Sequence, residues 1–433
     1  MNKKRQQHQM ENFKIDLTKN QKSSDFSIMG KIHDYHEMIR EHEKRGLNVL
    51  LKSPMTSANA REVVVKERNS GKEIKTLMFG SNNYLGAITH PYVIAKTLEA
   101  TQKYGIGSGG VPILAGTTKY HTDLEKKLSE LTGFEDTMLF SSGFTANLGI
   151  ILGIIRPQNL IIQDKLNHAS LIDGALMSGA KMVRYRHNDM KALEKLLSSN
   201  QEEYPNGMIV ITDGVFSMDG DIANIPKILE LTQKYNAILL IDEAHATGVI
   251  GEKGAGTLSY YGITQRDNII VSGTLSKALG SIGGYISASK EIIDYLRIYA
   301  RSNLYSTSLP PSVCASALAA IEMMQTTDAL SKQQKNAAYM VQKLRENGYN
   351  TLNTVTSVIP IIVGDEYKLT QMSKDLLDRG IYVSCIFPPA VPKNTARIRV
   401  NMNPLVTEED IDYFIEQLNE IFQIYQLDRF VKV

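Results

Sequence analysis

The stretch IIVSGTLSKALG, residues 269–280, changes within twelve residues from an apolar strand into a loop of small and hydroxyl-bearing residues. Its single lysine, Lys277, is followed by Gly280, Gly283 and Gly284. A lysine in a loop of this kind is ordinarily a solvated surface residue. We therefore assign a chemical role to Lys277 only if other segments of the chain support it.

The segment AILLIDEAH, residues 237–245, is the first that supports a chemical role for Lys277. Its pattern predicts a buried strand that ends in Asp242 and is followed by His245. An aspartate that closes a strand is often only a turn former or a helix cap. A lysine amine paired with such an acid is, however, what a pyridoxal phosphate (PLP) site requires. The amine forms a Schiff base with the aldehyde, and the acid keeps the pyridine nitrogen protonated. Lys277 and Asp242 together predict PLP as the cofactor.

Composition limits the class of protein. A chain of 433 residues favours two domains, and 42% hydrophobic with 22% charged residues is typical of a globular enzyme. The net charge of +2 argues against a dedicated nucleic-acid binder. Cys314 and Cys385 stand in unrelated contexts, which fits a reducing compartment and shows neither disulfide nor zinc spacing. We therefore expect a cytoplasmic protein without a metal site.

Neither a membrane span nor a secretory signal is visible in the sequence. No apolar run is long enough to cross a bilayer, and residues 1–26 lack the apolar core of a signal peptide. We expect those 26 residues to form a disordered, solvated tail. After them, residues 31–45 predict an amphipathic helix, and residues 61–79 predict two short strands around a turn.

From about residue 90 to 310 the pattern alternates between helices and short apolar strands. Strand candidates lie at residues 138–140, 160–162, 208–211, 238–241 and 269–271. This alternation predicts an α/β fold with a mostly parallel sheet covered by helices. Pro310-Pro311 marks a junction, after which we expect a long helix at about 313–347, short strands and a final helix. The predicted division is an N-terminal segment 1–75, a large domain 76–310 and a small α+β domain 311–433.

Polar residues follow five of the predicted strands, at the positions where an open parallel sheet collects its ligands. Ser142, Gly143 and Phe144 follow the first strand and begin a helix, which suits a phosphate. The residues that follow the other four strands are His168, then Ser217, then Asp242 with His245, and finally Thr274, Ser276 and Lys277. Each has a plainer interpretation by itself, such as a core histidine or a turn serine. Jointly they predict one cofactor pocket.

Several ordered motifs, spread over about residues 75 to 425, carry a family resemblance. They are SNNYLG (81–86), GT (116–117) with His121 and LE (124–125), SGFTAN (142–147), NHAS (167–170), DGVFSM (213–218), DEAH (242–245), GTLSK (273–277) and TARIR (395–399). With these motifs the chain resembles the α-oxoamine synthases, PLP enzymes of fold type I. That group includes serine palmitoyltransferase, glycine C-acetyltransferase, 8-amino-7-oxononanoate synthase and 5-aminolevulinate synthase.

The resemblance implies a role for each cofactor residue. Lys277 would form the Schiff base and act as acid and base at the substrate α-carbon. Asp242 would pair with the pyridine nitrogen, His245 would bond the ring hydroxyl, and His168 would stack on the ring face. The remaining residues implied to bind the cofactor are Ser142, Gly143, Phe144, Ser217, Thr274 and Ser276, together with Ser306 and Thr307 from the neighbouring subunit of a homodimer.

The resemblance also implies the substrates. Asn82 or Asn83 would contact the substrate, and Arg399 would clamp the amino-acid carboxylate as a bidentate pair. The reaction would condense serine, glycine or alanine with an acyl-CoA or an acyl carrier protein, with release of the thiol and CO2. Within the family, some motifs resemble glycine C-acetyltransferase and others serine palmitoyltransferase. We favour a serine palmitoyltransferase-like or secondary-metabolic acyltransferase, because Pro112 does not suit a housekeeping enzyme. Glycine C-acetyltransferase and 8-amino-7-oxononanoate synthase stay open, as do a PLP aminotransferase or lyase and a non-catalytic binding protein.

Two segments depart from the family pattern. Val111-Pro112 stands where relatives carry a small residue and an arginine, and a proline neither donates a hydrogen bond nor carries charge. After Arg399 the chain reads NMNP, residues 401–404, in place of a histidine-containing segment. Both departures bear on substrate choice.

Overall fold

The computed structural model describes residues 27–44, 54–67 and 70–431. It divides into two compact units, one formed by Asn82–Lys335 and the other by Met1–Ser81 with Asn336–Val433. The domain limits expected at residues 75 and 310 stay a prediction. The N-terminal tail and Gly46, a candidate helix stop, lie outside the described residues.

The Asn82–Lys335 unit is built on a seven-stranded sheet. Its strands are β3 (Asp136–Phe140), β4 (Leu160–Asp164), β5 (Lys181–Tyr185), β6 (Met208–Asp213), β7 (Ile238–Asp242), β8 (Ile269–Thr274) and β9 (Gly284–Ala288). They are ordered β3-β9-β8-β7-β6-β4-β5. Only β9 runs antiparallel to its neighbours, so the other six strands point the same way. The predicted α/β fold with a mostly parallel sheet is confirmed.

Helices cover both faces of this sheet, and for that reason every residue of β6 and β8 is buried. The helices of the unit are α2 (Pro91–Tyr104), α3 (Lys119–Thr132), α4 (Gly143–Ile154), α5 (Ala169–Ser178), α6 (Met190–Asn200), α7 (Ile225–Lys234), α8 (Thr257–Tyr260), α9 (Lys290–Tyr299), α10 (Arg301–Leu304) and α11 (Pro311–Thr326). Helix α12 (Ala329–Glu346) follows and contains the limit between the two units. A single π-helical turn, Pro112–Gly116, includes the unusual Pro112.

The long helix expected at about 313–347 is wrong, because the structure has two helices, α11 and α12, in that stretch. The backbone of Thr327 is extended, and its hydroxyl accepts a hydrogen bond from the Ala329 amide at 3.3 Å. A threonine side chain that bonds the backbone locally competes with the helix ladder. The apolar pattern continues through the break, so periodicity did not reveal it.

The second unit contains two three-stranded sheets. One has the order β1-β2-β11, with β1 (Glu62–Lys66), β2 (Glu73–Met78) and β11 (Ile381–Tyr382). The other has the order β10-β13-β12, with β10 (Val358–Gly364), β13 (Ala396–Asn401) and β12 (Ser384–Ile386). Its helices are α1 (Ile28–Lys44), α13 (Glu366–Asp378) and α14 (Glu408–Ile424). The predicted N-terminal helix and strand pair are thus present, and no helix among the described residues is long and apolar enough to cross a membrane.

Candidate active site

One cavity of about 220 Å³ opens at the carboxyl ends of the parallel strands. Its lining contains nine of the residues predicted from the sequence, namely Ser142, Gly143, Phe144, His168, Asp242, His245, Thr274, Ser276 and Lys277. It also contains Asp213, another polar residue at the end of a predicted strand, and four residues that were not singled out, namely Asn147, Ser170, Val215 and Ala244. We call this space the cofactor cavity.

The N-terminus of α4 forms one end of the cofactor cavity. The Ser142 hydroxyl caps the helix by accepting a hydrogen bond from the Thr145 amide at 3.1 Å. A Cβ at Gly143 would lie 3.1 Å from the Cβ of Thr274, so glycine lets the helix begin against that side chain. The free amides and the dipole of the first turn favour an anion such as a phosphate.

A network of amide and hydroxyl groups holds the buried Asp242. Its Oδ2 accepts a hydrogen bond from the Asn147 side-chain amide at 2.7 Å, and its Oδ1 accepts one from the Ala244 amide at 2.9 Å. The Ser272 hydroxyl donates to Asn147 Oδ1 at 2.6 Å, which fixes the orientation of the amide. Asn147 was missed as a site residue, although it closes the SGFTAN motif quoted above.

The same amide reaches His168 through a serine. Asn147 Nδ2 lies 2.8 Å from Ser170 Oγ, which lies 2.8 Å from His168 Nδ1. The Ser170 amide also donates to this ring nitrogen, at 3.3 Å, so Nδ1 accepts and the ring is neutral in this arrangement. Burial lowers the pKa of His168 further, against a smaller opposing effect of Asp242. A neutral ring with one open face suits stacking on an aromatic cofactor.

Asp213 stands beside Asp242, because the two residues are register partners on β6 and β7. Burial, and then the charge of Asp242, raises the pKa of Asp213 well above its ordinary value. Its Oδ1 accepts a hydrogen bond from the His168 amide at 3.2 Å. The cavity therefore contains two adjacent aspartates in different electrostatic states.

His245 is held by a tyrosine from the SNNYLG motif. Its Nδ1 lies 2.8 Å from the hydroxyl of Tyr84, which is fully buried. The Tyr84 hydroxyl also donates to Asn82 Oδ1 at 3.4 Å, while the side chain of Asn83 accepts from the Ile88 amide at 3.4 Å. Asn82 is thus linked to the cavity residue His245 through the Tyr84 hydroxyl. The side chain of Asn83 is bonded instead to the backbone of Ile88.

Lys277 lies on the connection between β8 and β9, which is closed by its own hydrogen bonds. The Leu275 amide donates to the Gly283 carbonyl at 3.0 Å, and the Gly280 amide donates to the Lys277 carbonyl at 3.0 Å. The Thr274 hydroxyl donates to the Gly283 carbonyl at 2.9 Å. This hairpin places the lysine at the cofactor cavity on a rigid base.

Six predicted residues do not line the cofactor cavity, namely Asn82 and Asn83, described above, and the four that follow. Ser217 is buried in the loop that follows β6, two residues beyond the lining residue Val215. Ser306 and Thr307 line a separate, smaller cavity. Arg399 is buried on β13 of the other unit. Their proposed contacts stay predictions.

The side chains of the cofactor cavity fit PLP. Asp242 is a buried acid for the ring nitrogen, Lys277 offers the amine, and the first turn of α4 offers an anion site beside the Thr274 hydroxyl. The three features belong to different strand ends of one sheet, so a single ligand can engage all of them.

Known proteins share both the sequence and the fold. A sequence model of the family described as "Aminotransferase class I and II" matches residues 74–418. The 8-amino-7-oxononanoate synthase of Thermoanaerobacter pseudethanolicus is 40% identical over 397 residues, which cover 91% of this chain and 98% of that protein. The 8-amino-7-oxononanoate synthase 1 of Bacillus subtilis is 40% identical over 354 residues, covering 82% and 90%.

Solved structures give the same picture at lower identity. The serine palmitoyltransferase of Sphingomonas wittichii superimposes with a TM-score of 0.86 at 29% identity, covering 92% of this chain and 99% of that one. The 8-amino-7-oxononanoate synthase of Francisella tularensis gives a TM-score of 0.68 at 26% identity, covering 80% and 98%. With its matched length, its sheet and its lysine-bearing cavity, the chain belongs to the class I and II aminotransferase family and, within it, to the α-oxoamine synthases, which are PLP-dependent acyltransferases.

Proposed function

We propose that the chain condenses alanine with a seven-carbon dicarboxylic acyl thioester, as an 8-amino-7-oxononanoate synthase. The substrates follow from the product in the name shared by its 40%-identical relatives. An amine beside a ketone near the methyl end of a nine-carbon acid arises when alanine loses its carboxyl group and gains a seven-carbon acyl group at the α-carbon. The C–S bond of the thioester and the bond between the α-carbon and the carboxyl group break, and one C–C bond forms. The α-carbon loses its proton before the new bond forms and takes up a proton when CO2 leaves, and the thiolate takes up a proton as the free thiol.

The observation that carries this proposal is the convergence of Lys277, Asp242 and the first turn of α4 on the cofactor cavity. PLP, when bound, supplies the electron sink that stabilises negative charge at the α-carbon of the amino acid. Lys277 would hold the cofactor through its amine, and the same amine would be the base that takes the α-proton of the amino acid. Asp242 accepts a hydrogen bond from the ring nitrogen and keeps that nitrogen protonated.

The other cavity residues bind the cofactor and the substrate and fix their orientation. The amides at Gly143 and Phe144, with the Ser142 and Thr274 side chains, hold the phosphate. His168 stacks on one face of the ring, and His245 donates to the ring hydroxyl while Tyr84 fixes its orientation. Ser217 and Ser276 complete the surroundings of the cofactor, and Asn82 or Asn83 contacts the substrate.

Three finer assignments belong to the same proposal. Arg399 binds the amino-acid carboxylate, so Arg399→Ala should raise KM for the amino acid with little effect on KM for the thioester. An unchanged amino-acid KM would remove Arg399 from that role. The active form is a homodimer in which Ser306 and Thr307 of each chain reach the phosphate held by its partner. We also infer a cytoplasmic location, because Cys314 and Cys385 are not joined in a disulfide.

Serine palmitoyltransferase activity is the second candidate. The fold of serine palmitoyltransferases supports it, with TM-scores up to 0.86, but their identity to this chain is 28 to 30% against 37 to 41% for the curated synthases. The higher identity leads us to place alanine and a medium-length acyl group ahead of serine and a long one. Pro112 departs from the arginine expected at its position and is a reason to test the acyl group directly.

A substrate matrix decides between these functions. Glycine, alanine and serine are each paired with acetyl-, pimeloyl- and palmitoyl-CoA, and thiol release is measured with CO2. We expect release only when both substrates are present, with alanine and pimeloyl-CoA fastest. Serine with palmitoyl-CoA as the fastest pair would establish the second candidate, and amino transfer without any thioester would establish an aminotransferase.

The lysine is tested separately from the substrates. The wild-type protein with PLP should show a visible absorbance band that borohydride abolishes, and Lys277→Ala should lack both the band and the activity. A borohydride-sensitive band that persists in Lys277→Ala would overturn the assignment of Lys277.

A further inference from the structure

His187 lies outside the cofactor cavity and is clamped between two carboxylates. Its Nδ1 lies 3.1 Å from Asp164 Oδ1, and its Nε2 lies 2.9 Å from Asp221 Oδ2. A neutral imidazole carries only one N–H, so donation to both carboxylates requires the protonated ring. Burial acts to lower the pKa of His187, but the hydrogen bonds that its ring donates to Asp164 and Asp221 outweigh burial and raise the pKa to about 10.

The first carboxylate fixes the turn that leads to His168. Asp164 is the last residue of β4 and is fully buried. Its Oδ1 also accepts from the Leu166 amide at 2.9 Å, and its Oδ2 accepts from the Asn188 amide at 2.9 Å. The turn from Asp164 therefore has a fixed course up to His168, whose side chain lines the cofactor cavity.

The second carboxylate fixes the loop that follows β6, residues 214–222. The Phe216 amide donates to the Asp221 carbonyl at 3.0 Å, and Val215 forms a bridge with Ile222. The ring of Phe216 packs edge-on to the His187 ring, with centroids 4.4 Å apart. Val215 lines the cofactor cavity, so this loop forms another part of its wall.

Several acidic side chains lie close to His187. Ligand atoms of Asp219 and Asp221 lie within 4.8 Å of each other and of a ring nitrogen of His187. Asp213 and Tyr185 interact electrostatically with Asp164, and Tyr261 does so with Asp221. Because both ring nitrogens already face carboxylates, the arrangement favours an internal cation over a bound one. Without that cation, the buried carboxylates would face each other unpaired.

We propose that His187 is a positioning residue whose imidazolium ties the His168 turn to the 214–222 loop and thereby holds two walls of the cofactor cavity together. The inference rests on the proposed function in that it takes His168 and the 214–222 loop to contact PLP.

His187→Gln tests the proposal through the dissociation constant for PLP, measured from pH 6 to pH 9 as a ratio to wild type at each pH. The glutamine keeps a donor but loses the charge. We expect the ratio to be roughly tenfold or more above pH 8 and to fall towards one near pH 6, where a facing carboxyl group can take up a proton. Taking the ratio removes the effect that the titration of PLP itself has on the dissociation constant, because that effect is the same for both proteins.

Two variants serve as controls. His187→Gln combined with Asp221→Asn removes one charge of each sign and should restore most of the affinity at pH 8. His121→Gln changes another buried histidine, one that contacts the Leu309 carbonyl at 2.9 Å, and should show no pH-dependent ratio. If His187 only fills space, His187→Gln should weaken PLP binding by the same factor at every pH, and adding Asp221→Asn should not restore the affinity.

Several outcomes would overturn the proposal. They are a ratio near one throughout for His187→Gln, a ratio that does not change with pH, or a loss of PLP from the wild-type protein on addition of a chelator. If His187→Gln does not fold, Asp221→Asn alone decides, because its dissociation constant for PLP, again taken as a ratio to wild type, should rise between pH 7 and 9. A ratio that stays constant over that range would overturn the proposal. Failure of the Lys277 assignment is seen separately, in the absorbance band of Lys277→Ala.

Discussion

Asn147 and its neighbours determine what the two cavity aspartates can do. Asp242 receives hydrogen bonds from Asn147 and Ala244, which stabilise a carboxylate, whereas burial and the charge of Asp242 raise the pKa of Asp213. Two identical side chains one strand apart thus have different surroundings. Their roles are set by their hydrogen-bonding partners.

Replacement of each aspartate by asparagine should separate these roles. Asp242→Asn removes the acid that keeps the ring nitrogen protonated, so kcat should fall by roughly a hundredfold or more while PLP stays bound. Asp213→Asn introduces a neutral amide of the same shape at a position where burial and the charge of Asp242 raise the pKa of the acid, so kcat should change much less. Steady-state kinetics with absorbance of the bound cofactor provide the measurement. Equal losses in the two variants would contradict the assignment.

The sequence revealed cofactor residues better than it revealed their supports. Lys277, Asp242 and His168 stand out because a lysine, an acid and a histidine each follow a predicted strand. Asn147 lies in the second turn of α4 and reaches Asp242 only through the packing of α4 against the sheet. His187 follows β5, and its two acidic partners are 23 and 34 residues away in sequence. Contacts of this kind have no local signal.

Among the elements, helix α4 depends on Ser142 both for its N-terminal cap and for the proposed phosphate site. Ser142 forms a capping box with Thr145, and the same first turn is the proposed phosphate site. Loss of the cap should therefore weaken both the helix and the binding of an anion.

Ser142→Ala should lower the free energy of unfolding by about 1 kcal/mol and weaken PLP binding by roughly three- to tenfold. The matched control is Thr407→Ala, which removes the capping box of α14 in the other unit. It should show a similar loss of stability with unchanged PLP affinity. Denaturant titration and PLP titration of the two variants test this, and equal PLP affinities would argue against a phosphate at α4.

The elements themselves were predicted with unequal success. Strands β4, β6, β7 and β8 were found because a parallel strand covered on both faces is a continuous apolar run. Strand β9 was missed, since GYISA carries polar and small residues and directly follows a glycine-rich loop. Strand β9 is antiparallel because of its pairing with β3 and β8. That pairing depends on the arrangement of the whole sheet and therefore leaves no signal in the local sequence.

At the scale of the whole molecule, buried groups with raised pKa values set how stability depends on pH. Glu243 is fully buried, and burial raises its pKa from 4.5 to about 7, although the amide and hydroxyl of Thr257 oppose this. Its folded-state pKa lies above the unfolded value. Its contribution to stability is therefore complete below pH 4.5 and is lost as the pH rises towards 7.

Glu243→Gln should flatten this part of the stability curve. The amide can accept from the Thr257 amide and donate to the Thr257 hydroxyl, so the hydrogen bonds survive without a titrating group. We expect Tm of the variant to exceed that of the wild type more at pH 8 than at pH 5. A difference in Tm that stays constant between those values would contradict the raised pKa.

The position of β3 at the edge of the sheet has a consequence for the order in which the protein assembles. Strand β3 comes first in the chain, yet it pairs only with β9, the last strand of the sheet to be made. During synthesis, β3 and the phosphate turn after it must wait for the rest of the sheet, because no earlier strand bonds them. The two ends of the cofactor site therefore meet only when the chain has been made through Ala288, and a nascent chain stopped before Gly284 has its parallel strands but no complete place for the cofactor.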